Sequence, residues 1–117
     1  MKVIIAGSRQ FAAQHPYVYY VADAYTKSGF VASEIVSGTA RGIDLAGEQF
    51  AQERKIPIKR FPANWERDGK AAGHIRNRQM ADYADALIAI WDGSSRGTKG
   101  MIEYAKSKGL KVYVHLV

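Results

Sequence analysis

The sequence predicts an α/β fold with a mostly parallel, five-stranded sheet, and two observations lead to this prediction. Short apolar runs rich in β-branched residues alternate with segments whose apolar residues recur at helical spacing. Glycine-containing turns follow three of those runs, at the strand ends where parallel sheets bind their ligands. We therefore expect one Rossmann-like, three-layer domain over residues 1–117, with helices on both faces of the sheet.

The first half of the chain contains two predicted strands, each followed by a helix. The strands are Val3–Ala6 and Ile35–Ser37, both short and apolar. Pro16 suits the first turn of a helix, and apolar residues keep helical spacing from there to Gly29, which is placed to cap the helix. A second helix carries apolar residues from Ile43 to Ala51 on one face.

The second half begins with a strand predicted over Ile56–Phe61, where Pro57 is typical of a sheet edge. Pro62–Gly73 is predicted to be irregular, and long loops of this kind are often functional. The remaining elements are predicted as a helix over His74–Tyr83, a buried strand over Ala86–Trp91, a helix over Thr98–Lys108 and a strand over Lys111–Leu116.

Composition narrows the classes of partner. The net charge of +6 favours anionic partners, although the basic residues are scattered and form no nucleic-acid-binding arm. The chain has no cysteine and its three histidines are far apart, so we expect neither a metal site nor a cofactor. Only Met1 and Lys2 precede the first strand, too little for a signal peptide or membrane span, so we expect a cytoplasmic protein.

The turn after the second strand is the most informative stretch for function. Ser37 and Gly38 end the strand, and the helix after Gly42 presents N–H groups that suit an anion. Arg41 stands at this helix start, where a cation opposes the helix dipole. That local cost indicates that Arg41 binds an anionic ligand or pairs with Asp44. Asp44 either holds a ribose hydroxyl or only complements the dipole.

The turn after the first strand is Gly7-Ser8-Arg9. Gly7 permits close backbone approach, Ser8 offers a hydroxyl, and the guanidinium of Arg9 can bind a phosphate with two hydrogen bonds. The same tripeptide also fits a simple strand–helix turn with a solvated arginine.

The third turn runs from Asp92 to Gly100 and leads into the last helix. Ser95, Gly97 and Thr98 predict a nest of donors for phosphate or ribose oxygens. The turn lacks the Gly-Lys-Ser/Thr ending of a P-loop, which argues against Mg²⁺-dependent nucleotide hydrolysis. No G-x-G-x-x-G follows the first strand, which argues against ordinary NAD oxidoreduction.

Two further segments carry candidate ligand-binding residues. Arg76 shares a helical face with Met80, so we expect it to point into the cleft of the three turns, with Arg78 solvated. Asn77 either caps the helix or reads a base or ribose. Trp65 belongs either to the core or to a stacking surface for a base.

Six motifs follow one another in an order that resembles a known family. They are Ile5-Ala6-Gly7-Ser8-Arg9, Ser37-Gly38-x-Ala40-Arg41-Gly42-x-Asp44, Pro62-Ala63-x-Trp65, Gly69-Lys70-Ala71-Ala72-Gly73, Arg76-Asn77-x-x-Met80 and Ser95-x-Gly97-Thr98. Together they resemble the YspA/cpYpsA-related branch of the SLOG superfamily over nearly the whole chain. The resemblance implies a Rossmann-like domain that binds nucleotide-derived ligands.

Two relatives in that superfamily imply different activities. LOG-type phosphoribohydrolases carry Gly-Gly-x-Gly-Thr-x-x-Glu, with the glutamate catalytic. Here Met101 occupies the matching position and Glu103 comes two positions late, so the resemblance supports the pocket better than the chemistry. The Ser37–Asp44 segment also resembles the corresponding turn of DNA-processing protein A, which binds single-stranded DNA.

We therefore expect this chain to bind a nucleoside phosphate or an NAD/ADP-ribose-like ligand, as a sensor or sequestering protein. One alternative is hydrolysis of a nucleotide N-glycosidic bond, with Glu103 or Asp44 replacing the missing glutamate. Another is binding of single-stranded nucleic acid, although no aromatic residues are interleaved with the basic ones as stacking platforms. The Tyr17–Tyr20 face is consistent with a homo-oligomer.

Overall fold

The computed structural model describes all 117 residues, and strands alternate with helices as predicted. The strands are β1 (Lys2–Gly7), β2 (Glu34–Ser37), β3 (Ile58–Arg60), β4 (Ala86–Trp91) and β5 (Lys111–Leu116). The helices are α1 (Tyr17–Ser28), α2 (Ile43–Glu53), α3 (Trp65–Asp68), α4 (Ala72–Tyr83) and α5 (Arg96–Ser107), and a 3₁₀ turn over Gly69–Ala71 joins α3 to α4. No helix is both long and apolar enough to cross a membrane.

The five strands form one sheet in the order β3-β2-β1-β4-β5, and every neighbouring pair is parallel. The chain therefore builds the sheet outward from β1 in one direction, and then crosses back to add β4 and β5 on the other side. The carboxyl ends of β1 and β4 flank this change of direction, which is where doubly wound sheets bind their ligands. The predicted Rossmann-like fold is confirmed.

The sheet separates two apolar cores, which explains why the central strands are continuous apolar runs. Val3 and Ile5 of β1 face the core formed with α1 and α2. Ile4 and Ala6 face the second core, formed with α4 and α5. Because a strand covered on both faces buries every side chain, β1 and β4 lack the alternation of a half-exposed strand.

The prediction of an irregular segment over Pro62–Gly73 is wrong in part. Asn64 accepts a hydrogen bond from the Arg67 N–H at 3.0 Å and caps the short helix α3, and α4 already begins at Ala72. The error arises because a four-residue helix has no room for the apolar spacing that reveals longer helices. β3 is also shorter than predicted and spans three residues.

The turn after β1 does not lead directly into a helix, because residues 8–16 precede α1. Phe11 stacks on Tyr17 with ring centroids 4.5 Å apart, and the Tyr17 hydroxyl binds both the N–H and the carbonyl of Phe11. The Tyr20 hydroxyl accepts the Gln14 N–H at 3.1 Å. Tyr17 and Tyr20 are thus half-buried, and only Tyr19 remains widely exposed on the face considered for oligomerisation.

Candidate functional site

A cavity of about 480 Å³ opens at the carboxyl edge of the sheet, beside the ends of β1 and β4. The start of α4 and the start of α5 both border it. The cavity is lined by these residues among those predicted to bind a ligand: Gly7, Ser8, Arg9, Asp44, Trp65, Arg76, Asn77, Ser95, Gly97 and Thr98. It is also lined by residues that the sequence analysis did not select as binding residues, among them Gln10, Ala40, Lys70, Gly73, His74, Asp92 and Met101.

The other predicted residues lie beside this cavity. Gly38 and Arg41 line an adjoining cleft of about 380 Å³, which shares Arg9, Trp65 and Arg76 with the main cavity. Gly42 lines a third, more open cleft together with Arg41. Of the three turns, the central one therefore meets the main cavity through Ala40 and Asp44 rather than through its glycines.

Arg76 is a buried cation at the wall of the cavity, as the helical spacing predicted. Its side chain donates from Nε to Asn77 Oδ1 at 2.9 Å and from Nη1 to the Gly38 carbonyl at 2.5 Å. Its Nη2 has no acceptor in the protein, and no carboxylate lies within ion-pair distance. Burial lowers the pKa of Arg76, while nearby Asp44 opposes that effect. A charged guanidinium in this position favours an anion in the cavity.

Asp44 lies beside Arg76 and is 6% exposed. Its Oδ2 accepts the Ala40 N–H at 3.2 Å. Burial raises the pKa of Asp44 to about 6, although Arg76, the Ala40 N–H and Arg9 all act to lower it. Gly38 makes this arrangement fit, because a Cβ there would lie 2.6 Å from Asp44 Oδ2 and 2.9 Å from Arg76 Nη1.

Ser37, which the sequence predicted to bind the ligand, lines none of the three cavities. Its hydroxyl donates to Glu48 Oε2 at 2.6 Å and accepts the Thr39 N–H at 3.1 Å. Glu48 is itself paired with Arg60, at 2.9 Å from Nε to Oε1. A buried carboxylate needs such partners. Through Glu48, this network joins the end of β2 and the β2–α2 turn to α2 and β3. Sequence analysis missed Glu48, whose i, i+4 spacing from Asp44 places both on one face of α2.

Gly7, the last residue of β1, and Ser8 after it both contact β4 or the turn that follows it. A Cβ on Gly7 would lie 2.2 Å from the carbonyl oxygen of Ile90, so the close approach of the neighbouring strand requires glycine here. The Ser8 hydroxyl accepts the Asp92 N–H at 3.2 Å and links the first turn to the third. Gly42 has φ 87°, and a Cβ there would lie 2.4 Å from the Arg9 carbonyl. Arg9 itself stays exposed at the cavity mouth.

The third turn already holds an anion, the carboxylate of Asp92. Its Oδ1 accepts the N–H groups of Ser94 at 2.9 Å and Ser95 at 2.8 Å, and these bonds lower the pKa of Asp92. The predicted nest of donors is therefore partly filled by the chain itself. The N–H groups of Gly97 and Thr98, in the first turn of α5, have no acceptor in the protein.

One wall of the cavity is built by α3, the 3₁₀ turn after it and the start of α4. Trp65 is 53% exposed there, so it belongs to the cavity mouth and not to the core. Lys70 and His74 also line this wall. Neither was predicted to bind the ligand: Lys70 lies in the segment predicted to be irregular, and His74 is the first residue of the predicted helix. Arg78 is exposed as predicted and lies over the Tyr104 ring.

Met101 is buried at the cavity wall, whereas Glu103 is exposed and lines none of the three cavities described above. Nor is any group of three His, Asp or Glu side chains arranged to hold a metal ion. The ionisable groups of the main cavity are therefore four basic side chains and two carboxylates, namely Arg9, Lys70, His74, Arg76, Asp44 and Asp92.

Comparison with known proteins places the first part of the chain in a described family. The sequence model of the YAcAr family, described as the YspA, cpYpsA-related SLOG family, matches residues 1–67. The "Gene 61 protein" of Mycobacterium phage D29 is 30% identical over 117 residues, which cover 95% of this chain and 93% of that protein. The "Uncharacterized SPbeta prophage-derived protein YoqJ" of Bacillus subtilis strain 168 is 45% identical over 31 residues, 26% of this chain and 18% of that protein. The family match spans the first two glycine turns and α2.

Proposed function

Because this chain belongs to the YspA, cpYpsA-related SLOG family, we propose that it binds a nucleotide-derived ligand in the cavity between β1 and β4. The ligand is a nucleoside phosphate or an NAD/ADP-ribose-like molecule, and the protein acts as a sensor or a sequestering protein. Family membership supports a nucleotide-related function in general, and the choice of ligand rests on the chemistry of the cavity.

The buried guanidinium of Arg76 is the observation that carries this proposal. Burying a cation without a carboxylate partner is costly, and its hydrogen bonds to a carbonyl and an amide oxygen compensate only in part. A phosphate that reaches Nη2 would complete the set of acceptors with a charge-assisted bond. A folded protein that keeps this cation at the wall of a cavity is well suited to bind an anion there.

The remaining residues fit the other parts of a nucleotide. Arg9 at the cavity mouth would bind a second phosphate oxygen, and exposed Trp65 would stack on the base. Asp44 and the free amide nitrogen of Asn77 would orient ribose or base. Arg41 would contact only a ligand long enough to enter the adjoining cleft.

Isothermal titration calorimetry with nucleoside phosphates and ADP-ribose compounds tests the proposal. We expect at least one of these ligands to bind, and Arg9→Ala to weaken it by about tenfold because a charge-assisted hydrogen bond is lost. Arg96→Ala is the matched control, since Arg96 is exposed and does not line the cavity. Absence of binding by every compound would refute the proposal.

Hydrolysis of the N-glycosidic bond is a second candidate function, and Asp44 is the observation that favours it. A carboxyl with a pKa of about 6 that lines the cavity can exchange a proton near neutral pH. Glu103, the other candidate for the missing glutamate, lies outside the cavity. Incubation with nucleoside monophosphates, followed by chromatography, should then release free base, and Asp44→Asn should abolish the release. If no base appears, the chain binds nucleotides without cleaving them.

A further inference from the structure

We propose that Asp92 accepts a hydrogen bond from a ribose hydroxyl of the ligand, so that the cavity selects ribonucleotides over deoxyribonucleotides. This inference rests on the proposed nucleotide-binding function and adds the orientation of the ligand. It places the sugar at the β4–α5 turn and a phosphate at Arg76.

Asp92 has one carboxylate oxygen that accepts no backbone hydrogen bond. The two backbone bonds from Ser94 and Ser95 both use Oδ1, so neither occupies Oδ2. The carboxylate lines the cavity and is held in place by those bonds and by the bond from its own N–H to Ser8. An ionised oxygen fixed by the fold is a strong acceptor for a hydroxyl group.

The charged side chains of the cavity come from several elements, and Asp44 of α2 lies beside Arg76. Lys70 and Arg76 belong to the segment that forms the start of α4, and Asp92 belongs to the turn before α5. A phosphate is attracted to these two cations and repelled by the carboxylates of Asp44 and Asp92. The sequence predicted donors for phosphate or ribose oxygens at the third turn. The Ser94 and Ser95 N–H groups there already bind the carboxylate of Asp92, whereas those of Gly97 and Thr98 stay free.

The neighbours of Asp92 suit a sugar. Ser95 Oγ and Thr98 Oγ1 lie 3.3 Å apart at the same wall, and each hydroxyl can donate to or accept from a second sugar oxygen. A carboxylate can also bind guanine, but that contact uses both carboxylate oxygens side by side. Here Oδ1 is already occupied, so a single hydroxyl is the better match.

Calorimetric titration of the full chain with ribonucleoside 5′-monophosphates and their 2′-deoxy and 3′-deoxy counterparts tests the inference. We expect the loss of one hydroxyl to weaken binding by roughly tenfold or more, the range for a hydrogen bond to a charged group. In Asp92→Asn this ratio should fall to about threefold or less, since only a neutral hydrogen bond remains possible. The Asn oxygen can still accept the two backbone N–H groups, so the turn is preserved.

Asp85→Asn is the matched control. Asp85 also accepts a backbone N–H, from Lys2 at 2.7 Å, and lies outside the cavity at the opposite edge of the sheet. The Asp85→Asn substitution removes the same charge as Asp92→Asn but leaves the cavity unchanged. The preference for ribonucleotides should therefore persist in this variant.

Four results would overturn the inference. Equal binding of ribonucleotides and both deoxy series by the unaltered protein would do so while leaving the proposed function intact. An undiminished preference in Asp92→Asn, or an Asp92→Asn effect confined to guanine nucleotides, would also do so. If no nucleotide binds at all, the proposed function and this inference fail together.

Discussion

The carboxyl of Asp44 is buried beside Arg76, and burial raises its pKa to about 6, above the ordinary value of 3.8. Because the folded state holds this proton more tightly than the unfolded chain, stability decreases as the pH rises from about 4 to 6 and stays reduced above that range. The ionised side chain therefore costs the folded protein about 3 kcal/mol at neutral pH. Such a cost is typical of residues retained for function.

Asp44→Asn should make the ligand-free protein more stable at pH 7.5, by as much as about 3 kcal/mol, with the difference vanishing near pH 4. The Asn oxygen can still accept the Ala40 N–H, so the turn is kept. Urea unfolding between pH 4 and pH 7.5 measures the effect. Asp85→Asn, at an exposed position, controls for loss of one negative charge. A variant that gains no stability at pH 7.5 would contradict the burial argument.

At the scale of elements, residues 8–16, here called the strap, connect the cavity to α1. Arg9 and Gln10 line the cavity, and Phe11 is held on α1 by Tyr17 through stacking and two hydrogen bonds. On the other side the Arg9 carbonyl lies close to Gly42. The position of the Arg9 side chain therefore depends on contacts with both α1 and the start of α2.

Tyr17→Phe should loosen this strap without removing the aromatic stack. Loss of two hydrogen bonds lowers the free energy of local opening by about 1–2 kcal/mol, so we expect faster amide hydrogen exchange over residues 9–14. We also expect nucleotide affinity to fall several-fold, because Arg9 is less well positioned. Tyr19→Phe is the control, since Tyr19 is 62% exposed. Unchanged exchange in Tyr17→Phe would show that stacking alone holds the strap.

At the scale of the molecule, the cavity connects the two halves of the sheet. Its lining comes from the end of β1 and the β2–α2 turn on one side, and from β4 and α5 on the other. The helices that border the cavity pack on opposite faces of the sheet: α2 belongs to one core, and α4 and α5 belong to the second. A ligand bound there contacts elements that separate only when the whole domain unfolds.

A bound nucleotide should therefore stabilise the entire domain. At a ligand concentration of 100 Kd the gain is about 2.7 kcal/mol, which raises Tm by roughly 10 °C in a domain of this size. Differential scanning calorimetry measures the shift. The corresponding nucleoside without phosphate should shift Tm far less, because it lacks the group that Arg76 binds. Equal shifts by both compounds would argue against a phosphate subsite.

How well the sequence predicted each helix and strand depended on the length and burial of that element. β4 and β5 have the predicted bounds: β4 is a buried apolar run, and β5 follows Gly109, which ends the preceding helix. Helices α1 and α2 were recognised from helical spacing of their buried residues. Helix α3 was missed because it is four residues long and buries none of them.

By itself the sequence determined the alternation of strands and helices, the position of the glycine turns at one sheet edge, and the basic character of Arg9 and Arg76. These depend on local spacing and on topology rules that hold for parallel sheets. Only the tertiary structure decided which polar groups remain free for a ligand. Asp92 occupies donors of its own turn, Ser37 binds Glu48, and Arg76 is left with a free Nη2. Those outcomes depend on hydrogen bonds between residues far apart in the chain, which no local pattern specifies.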